Sequence, residues 1–187
     1  MPAERRASYR VQLNPEHFTL GEAARLADYL AALRVSHLYS SPVLEAAAGS
    51  QHGYDVVNPY GVSRSLGGEQ GWRRLQQALS HHSLALLLDI VPNHMAITAK
   101  NPWWWAVLEN GQASRYASYF DVDWDPPEAR NRRQIVLPVL GDHYGRVLEA
   151  GELGLNFDGK AFTISYYDKR FPVDPASLGP LLARAAG

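Results

Sequence analysis

The chain contains no cysteine among its 187 residues. Disulfide frameworks and thiolate metal sites are therefore excluded, and nothing in the composition requires an oxidising compartment. No apolar run approaches the ~18 residues of a membrane span, and residues 1–6 are polar and lack the apolar core of a signal peptide. These absences predict a cytoplasmic protein that does not bind membranes.

Neither sign of charge is in excess. The chain has 18 Lys and Arg residues against 19 Asp and Glu residues, for a formal net charge of -1. This balance offers no field that would attract a polyanion, so nucleic acid is not an expected partner. Phosphate-binding glycine loops and nucleophile elbows are also missing. His81 and His82 are adjacent, so their side chains diverge on a helix, which argues against a metal site there.

Aromatic residues and histidine are plentiful, with 5 Trp, 10 Tyr and 7 His. Sugar sites stack pyranose faces on aromatic rings and bind hydroxyl groups through imidazole and carboxylate side chains. The hydrophobic fraction of 46% is enough for one globular domain with a buried core. Composition alone leaves a sugar-binding role open, although aromatic residues more often belong to the core.

The first half of the chain alternates between strand and helix patterns. Alternating polarity predicts a strand at Ser8–Leu13, and apolar spacing of three and four residues predicts a helix over 19–33. A second strand is predicted at His37–Tyr39 and a second helix over 68–82. The continuous apolar run Leu84–Val91 is typical of a parallel strand that is covered on both faces. This order predicts the opening of a β/α fold.

Two stretches depart from that alternation. Residues 46–66 are irregular and rich in glycine and proline, and connections of that length tend to be functional. Residues from about 98 onward contain scattered prolines and a short alternating piece at Phe162–Tyr167, which predicts a small, partly β subdomain. Three β/α units cannot close an eight-stranded barrel. The predicted fold is therefore α/β, an incomplete (β/α)8 TIM barrel of three units in residues 1–97, with an inserted small α+β subdomain after strand 3 in residues 98–187.

Polar side chains follow the third predicted strand. The buried run ends in Asp89, Pro92, Asn93 and His94, and barrel enzymes place their chemistry at the carboxyl ends of strands. The alternative is that Asp89 is a structural ion-pair partner and His94 an ordinary loop histidine. Composition alone favours that alternative.

A second polar cluster follows the second predicted strand. Gly49 and Gly53 permit close backbone approach, and His52, Tyr54 and Asp55 lie beside them. The tyrosine ring and the imidazole could line a pocket for a sugar ring. A tight loop with Tyr54 packed onto the core fits the spacing equally well.

Three consecutive tryptophans, Trp103–Trp105, begin another predicted helix. Consecutive helical side chains point in different directions, so at least one indole is expected at the surface. Gly141–Arg146 is also polar and aromatic, and any well-ordered turn would account for it.

The chain resembles the α-amylase clan in segments from both halves and, within it, the maltooligosyltrehalose synthase family. The clan segments are Ser8–Leu13, His37–Val43, Gly49–Pro59, Asp89–Met95 and Asn101–Trp105. The segments similar to the inserted subdomain of the synthases are Leu108–Gly111, Leu137–Gly141 and Tyr166–Pro172. The resemblance spans nearly all of this chain but only the first part of the longer family protein.

The resemblance implies an activity on maltooligosaccharides. Synthases of this family convert the reducing-end α-1,4 bond into an α,α-1,1 bond, through a carboxylate nucleophile, a carboxylic acid and a covalent glycosyl enzyme. No cofactor and no required metal are implied. The catalytic carboxylates of the clan belong to strands four, five and seven, which would lie beyond Gly187. The chain alone is thus expected to be inactive, with the remainder of the barrel in the full-length protein.

The resemblance also implies roles for individual residues. Tyr54 would stack on the sugar that precedes the scissile bond, and His94 would hydrogen-bond the primary hydroxyl of that sugar. His52 is a further substrate-binding candidate beside Tyr54. Asp89 would support the site by pairing with an arginine near the nucleophile, and Asn93 would hold the loop of the inserted subdomain.

Two other functions fit the same residues. The chain could be a noncatalytic α-glucan-binding module, although an open half-barrel would expose strand edges and apolar faces. It could also belong to another hydrolase of the α-amylase clan. Product analysis separates a synthase from a hydrolase, because only a synthase forms trehalose-capped chains.

Overall fold

The computed structural model describes residues 7–174, 176–179 and 183, and its contacts form two compact units that divide between Ala96 and Ile97. Within the described ranges, no helix combines the length and the apolar character needed to cross a bilayer.

The first unit is built on a parallel sheet of three strands in the order β1-β2-β5. Its five strands are β1 (Ser8–Val11), β2 (His37–Ser40), β3 (Leu44–Ala46), β4 (Val56–Val62) and β5 (Ala85–Leu88). The helices are α1 (Leu20–Arg25), α2 (Ala27–Ala32) and α3 (Gly68–His81). Helical segments thus connect parallel strands, as the β/α pattern predicts.

The core of this unit lies between the sheet and the helices. Leu30 of α2, Leu38 of β2 and Leu75 of α3 are each fully buried. Helix α1 approaches α3 closely at Gly71, where an added Cβ would lie 3.2 Å from the Cβ of Leu20. Burial of such leucines contributes about 1.5–3 kcal/mol each, so this packing carries much of the stability of the unit.

The segment predicted as one helix over 19–33 forms two short helices. Thr19 caps the first, and its side chain and that of Glu22 form a capping box. The break falls at Leu26, whose amide bonds to the carbonyl of Ala23, three residues back, at 3.2 Å. This tightened turn ends α1 while leaving the apolar spacing intact, so the sequence pattern could not reveal it.

The stretch 46–66, predicted to be irregular, contains a strand, and the prediction was wrong in that respect. Strands β3 and β4 pair antiparallel, with Leu44 opposite Val62 and Ala46 opposite Val56. The register shifts on both sides of Glu45, so the pairing is bulged. Bulges disturb the two-residue alternation, which explains why the sequence gives no clean strand signal.

Strand β5 is shorter than the apolar run that predicted it. The run spans 84–91, whereas β5 ends at Leu88. The side chains of Leu87 and Ile90 are 47% and 65% exposed. The expectation that both faces of this strand are covered is therefore not met among the described residues.

The second unit combines helices with an antiparallel sheet. Its elements are α4 (Pro102–Asn110), α5 (Tyr144–Glu149), β6 (Leu153–Phe157), β7 (Phe162–Tyr166) and β8 (Lys169–Pro172). The strands pair in the order β6-β7-β8, so the alternating piece predicted at 162–167 is confirmed as β7. Neighbouring strands along the chain pair directly, as in a β-meander.

Helix α4 carries the three tryptophans. Asn101 caps its first turn by accepting hydrogen bonds from the amides of Trp103 and Trp104 at 3.0 and 3.2 Å. Trp104 is buried, while Trp103 and Trp105 are half-buried. Trp103 stacks on the ring of Tyr116 at 5.6 Å between centroids. Two of the three indoles are therefore partly accessible at the surface, and none is fully exposed.

Candidate functional site

The carboxyl ends of the three parallel strands meet at one edge of the first unit. Arg10 of β1 pairs in register with Tyr39 of β2, which pairs in turn with Leu87 of β5. Asp89 follows β5 directly, and its amide donates to the carbonyl of Ser40 at 2.9 Å. Parallel strands bring residues from distant parts of the chain to this edge, which is where α/β proteins place their ligands.

Four polar side chains interact at this edge and form what we term the anchor cluster: Arg10, Tyr39, Tyr54 and Asp89. The phenol of Tyr54 donates a hydrogen bond to Oδ2 of Asp89 at 2.6 Å. It accepts one from Nη2 of Arg10 at 2.9 Å. The hydroxyl of Tyr39 lies 3.5 Å from the same Asp89 oxygen. The carboxylate of Asp89 thus gathers two phenols from different parts of the chain.

Arg10 completes the cluster. Its guanidinium lies 3.8 Å from the carboxylate of Asp89 and 5.4 Å from the centroid of the Tyr39 ring. The side chains of Arg10 and Asp89 are 42% and 22% exposed, so solvent screens this ion pair and its contribution to stability is small. The main effect of Arg10 is on position, because its guanidinium contacts the side chains of both Tyr54 and Tyr39.

The contacts of the Tyr54 phenol shift its pKa in both directions. Its hydrogen bond to Asp89 raises the pKa of Tyr54 above the ordinary value, and partial burial and the negative charge of Asp89 act in the same direction. The positive charge and hydrogen bond of Arg10 lower this pKa and offset part of the effect. At neutral pH the Tyr54 ring is therefore an uncharged aromatic surface.

A tight turn carries Tyr54 to this edge. Gly53 has a φ of +80°, which only glycine adopts readily, and its amide donates to the hydroxyl of Ser50 at 3.1 Å. The Ser50 hydroxyl also bonds to the carboxylate of Asp55. His52 accepts from the amide of Tyr54 through Nδ1 at 3.0 Å, and the two rings lie 5.9 Å apart. His52 therefore lies beside Tyr54, with an exposed imidazole.

Asn93 and His94 lie on the exposed segment after Asp89. Nδ1 of His94 is 3.2 Å from Oδ1 of Asn93. Along residues 7–174, no hydrogen bond joins His94 to Tyr54. The amide of Ala96 donates to the carbonyl of Val56 at 2.9 Å. This bond ties the end of the His94 segment to β4, the strand that follows the Tyr54 turn.

The structure thus brings two of the predicted site residues, Tyr54 and Asp89, into direct contact. Arg10 and Tyr39 were not predicted as members of the site from the sequence. Their signal was their place near the carboxyl ends of the first two strands, at the same edge as Asp89. Within the described part of the chain, no group of three or more His, Asp or Glu side chains lies together as a set of metal ligands.

Comparison with known proteins gives consistent matches. Residues 21–149 match the family model of the α-amylase catalytic domain. A Mycobacterium tuberculosis protein that carries the name maltooligosyl trehalose synthase is 41% identical over 91% of this chain. This chain spans 22% of that protein. The intracellular maltogenic amylase of Bacillus subtilis is 30% identical over 64% of this chain, which spans 18% of the amylase.

A solved structure gives the same result at the level of the fold. The maltooligosyltrehalose synthase from Arthrobacter ramosus superimposes with a TM-score of 0.77 and 42% sequence identity. The superposition covers 90% of this chain and 21% of the Arthrobacter chain. The backbone is thus similar over nearly all of this chain.

Proposed function

Because the chain belongs to the α-amylase catalytic-domain family, we propose that it forms one rim of the glucan-binding cleft of a maltooligosyltrehalose synthase. The observation that supports this most directly is the hydrogen bond from Tyr54 to Asp89, which holds an aromatic ring at the carboxyl edge of the parallel sheet. Aromatic rings fixed at such an edge are suited to stacking on pyranose faces.

The proposal also assigns each of the two units a place in a (β/α)8 barrel enzyme. The parallel strands β1, β2 and β5 would be the first three strands of a (β/α)8 barrel, in residues 1–97. The helices and the antiparallel sheet of residues 98–187 would be a small α+β subdomain inserted after the third strand. The exposed side chains of Leu87 and Leu88 fit a strand that has further barrel neighbours.

Individual roles follow from the cluster. Tyr54 would stack on the sugar before the scissile bond, and Asp89 would support the site by holding the phenol. His94 is exposed and would bond the primary hydroxyl of that sugar, with Asn93 beside it supporting the loop. His52 would be a further contact next to Tyr54. The cytoplasmic location remains a prediction from the sequence.

The reaction would rearrange the glucan without consuming water. The reducing-end α-1,4 bond would break with formation of a covalent glycosyl enzyme, and the anomeric hydroxyl of the released glucose would then attack to form the α,α-1,1 bond. This order of reaction steps requires that the released glucose stay in the cleft and that water be excluded. The ring of Tyr54 would hold the glycosyl part while the released glucose turns.

The test is product analysis with the protein expressed from its complete open reading frame. Incubated with maltopentaose, a synthase removes reducing ends while the mass of the oligosaccharide stays constant, and NMR detects the new α,α-1,1 linkage. A rise in reducing ends with shorter maltooligosaccharides would overturn the synthase assignment in favour of a clan hydrolase, a possibility that the similarity to the maltogenic amylase keeps open.

A matched pair of variants connects this activity to the proposed rim. Tyr54→Ala removes the aromatic ring and should lower kcat/KM about 10- to 100-fold, as expected for loss of a stacking contact and its hydrogen bonds. Tyr29→Ala removes a ring that is 52% exposed on α2, and should leave kcat/KM within about twofold. Equal effects of the two changes would remove Tyr54 from the proposed site.

A further inference from the structure

We propose that Arg10 is a positioning residue that sets the orientation of the Tyr54 ring. This inference rests on the proposed function, since it concerns the ring that would stack on the sugar. It assigns a role to a side chain of β1, whereas the turn that carries Tyr54 follows β2 along the chain.

Arg10 and Gln12 hold that turn at two points. Nη2 of Arg10 donates to the phenol oxygen of Tyr54 at 2.9 Å. Nε2 of Gln12 donates to the carbonyl of His52 at 3.3 Å. Residues two apart in an extended chain point to the same side, which is why both side chains reach the same turn. The ring and the backbone of the turn are therefore both attached to the end of the first strand.

The two holding side chains also contact each other. Nη1 and Nη2 of Arg10 both lie 3.4 Å from Oε1 of Gln12. The amide of Gln12 is thereby oriented with its oxygen towards Arg10 and its nitrogen towards His52. One planar guanidinium thus contacts Gln12 and Tyr54 at once, which a lysine ammonium on its flexible stem would not reproduce.

The hydrogen-bonding capacity of the phenol explains why two partners orient the ring. A tyrosine hydroxyl has one proton to donate, and here that proton goes to Asp89. The oxygen still accepts, and it does so from Arg10. With one partner the ring could swing about that single bond. Two partners in different directions restrict the swing and hold the ring face in one plane.

The charge of Arg10 has its own part in the arrangement. Arginine remains protonated at all accessible pH values, so the donor is permanent. The guanidinium also lies over the ring of Tyr39, which supports it from the neighbouring strand. Arg10 is therefore held by β2 and Gln12 while it holds Tyr54.

A double-mutant cycle in the protein from the complete open reading frame tests the assignment. The variants are Arg10→Met, Tyr54→Phe and the double change, and the readout is kcat/KM for maltopentaose. Arg10→Met alone should lower kcat/KM about 10- to 100-fold, mainly through KM, as expected for loss of a hydrogen bond from a charged donor. In the Tyr54→Phe background the same change should have less than about a threefold effect, because its target is gone.

Three further measurements complete the design. Arg74→Met changes an exposed arginine of α3 and should leave kcat/KM within about twofold. Arg10→Lys should remain as impaired as Arg10→Met, since the ammonium lacks the planar fork. Thermal unfolding of every variant identifies loss of folding, and if Arg10→Met does not fold, the cycle is completed with Arg10→Lys.

The outcomes separate this inference from the proposed function. Full additivity of Arg10→Met and Tyr54→Phe, in a wild-type protein that makes trehalose-capped product, would overturn the role of Arg10 alone. Formation of hydrolysis products by the wild type would overturn the synthase assignment, and the cycle would then be measured on hydrolysis. Non-additivity on either activity supports the positioning role.

Discussion

The phenol of Tyr54 donates a hydrogen bond of 2.6 Å to the carboxylate of Asp89, although 35 residues separate the two in the sequence. The bond joins the turn after the second parallel strand to the end of the third. Through this bond the carboxylate of Asp89 holds the phenol of Tyr54 at the edge of the parallel sheet. This contact is therefore the first place where substitutions should change the properties of the site.

Asp89→Asn should lower the pKa of Tyr54 relative to the wild-type protein. The hydrogen bond that Tyr54 donates to the carboxylate and the negative charge of that carboxylate both raise this pKa, whereas Arg10 lowers it. With Asp89 neutral, its charge no longer raises the pKa, while partial burial still raises the pKa and Arg10 still lowers it. NMR titration of 13C-labelled tyrosine, with the Tyr54 signal assigned by its loss in Tyr54→Phe, measures the shift.

The sign of the pH dependence follows from the same contact. Because the pKa of Tyr54 is raised on folding, its contribution to stability is present below the unfolded value of about 10 and is lost as the pH rises through the folded value. Asp89→Asn should reduce this loss of stability at alkaline pH, which is measured by urea unfolding at a series of pH values. Asp168→Asn, a change at a side chain that is 87% exposed, is the control and should leave the Tyr54 titration unchanged. An unaltered titration in Asp89→Asn would contradict the assignment of the cause.

The Tyr54 turn offers a matched pair of glycine substitutions. Gly53 and Gly49 have φ angles of +80° and +81°, so an alanine at either position carries similar backbone strain of about 1–2 kcal/mol. At Gly53 the new Cβ would also lie 3.1 Å from the carbonyl oxygen of Pro42, whereas at Gly49 nothing lies within 4 Å. Gly53→Ala should therefore lower the free energy of unfolding by about 1 kcal/mol more than Gly49→Ala. Urea unfolding of both variants checks this, and equal losses would mean that Pro42 moves aside.

The membership of the α-amylase family could be predicted from the sequence, and the match over residues 21–149 confirms it. Short motifs were sufficient for this because Asp89 and Tyr54 stand in recognisable local patterns. Arg10 and Tyr39 could not be assigned in the same way. Their contact with the site depends on the register between parallel strands, Arg10 beside Tyr39, which no local spacing encodes.

The limits of the fold prediction have the same physical origin. Helical periodicity continues across Leu26, where a tightened turn divides the predicted helix in two. Strand alternation is lost at Glu45, where the register shifts inside a real pair of strands. Hydrophobic patterning indicates which face of a segment is buried. It does not reveal a local change in hydrogen bonding that leaves the buried face unchanged.

The capping box of α1 predicts a pH-dependent stability. The hydrogen bond from the Thr19 side chain is the main cause that lowers the pKa of Glu22. A lowered pKa contributes stability above the unfolded value of about 4.3 that is lost as the pH falls through the folded value. Thr19→Ala should lower the free energy of unfolding by about 1 kcal/mol at neutral pH, with a smaller difference at an acidic pH where Glu22 is protonated.

Urea unfolding at both pH values measures this difference. Thr98→Ala provides the control, because Thr98 is exposed and its hydroxyl accepts a long bond of 3.3 Å from the amide of Lys100. Its effect should stay within about 0.5 kcal/mol and should not vary with pH. If Thr19→Ala lowers the free energy of unfolding equally at both pH values, the stabilising effect of the cap does not depend on the ionisation of Glu22.

In the second unit, Tyr166 and Tyr144 provide a buried and an exposed tyrosine for comparison. The amide of Gly141 donates to the phenol oxygen of Tyr166 at 2.9 Å, and the Tyr166 side chain is only 6% exposed. Tyr166→Phe leaves that amide without its acceptor and should lower the free energy of unfolding by about 1–2 kcal/mol. Tyr144 is 63% exposed, and Tyr144→Phe should change the free energy of unfolding by less than about 0.5 kcal/mol.

Hydrogen exchange gives the local readout, since the Gly141 amide should exchange faster in Tyr166→Phe and at the wild-type rate in Tyr144→Phe. Unchanged exchange at Gly141 would mean that this amide is protected by something other than the Tyr166 hydroxyl.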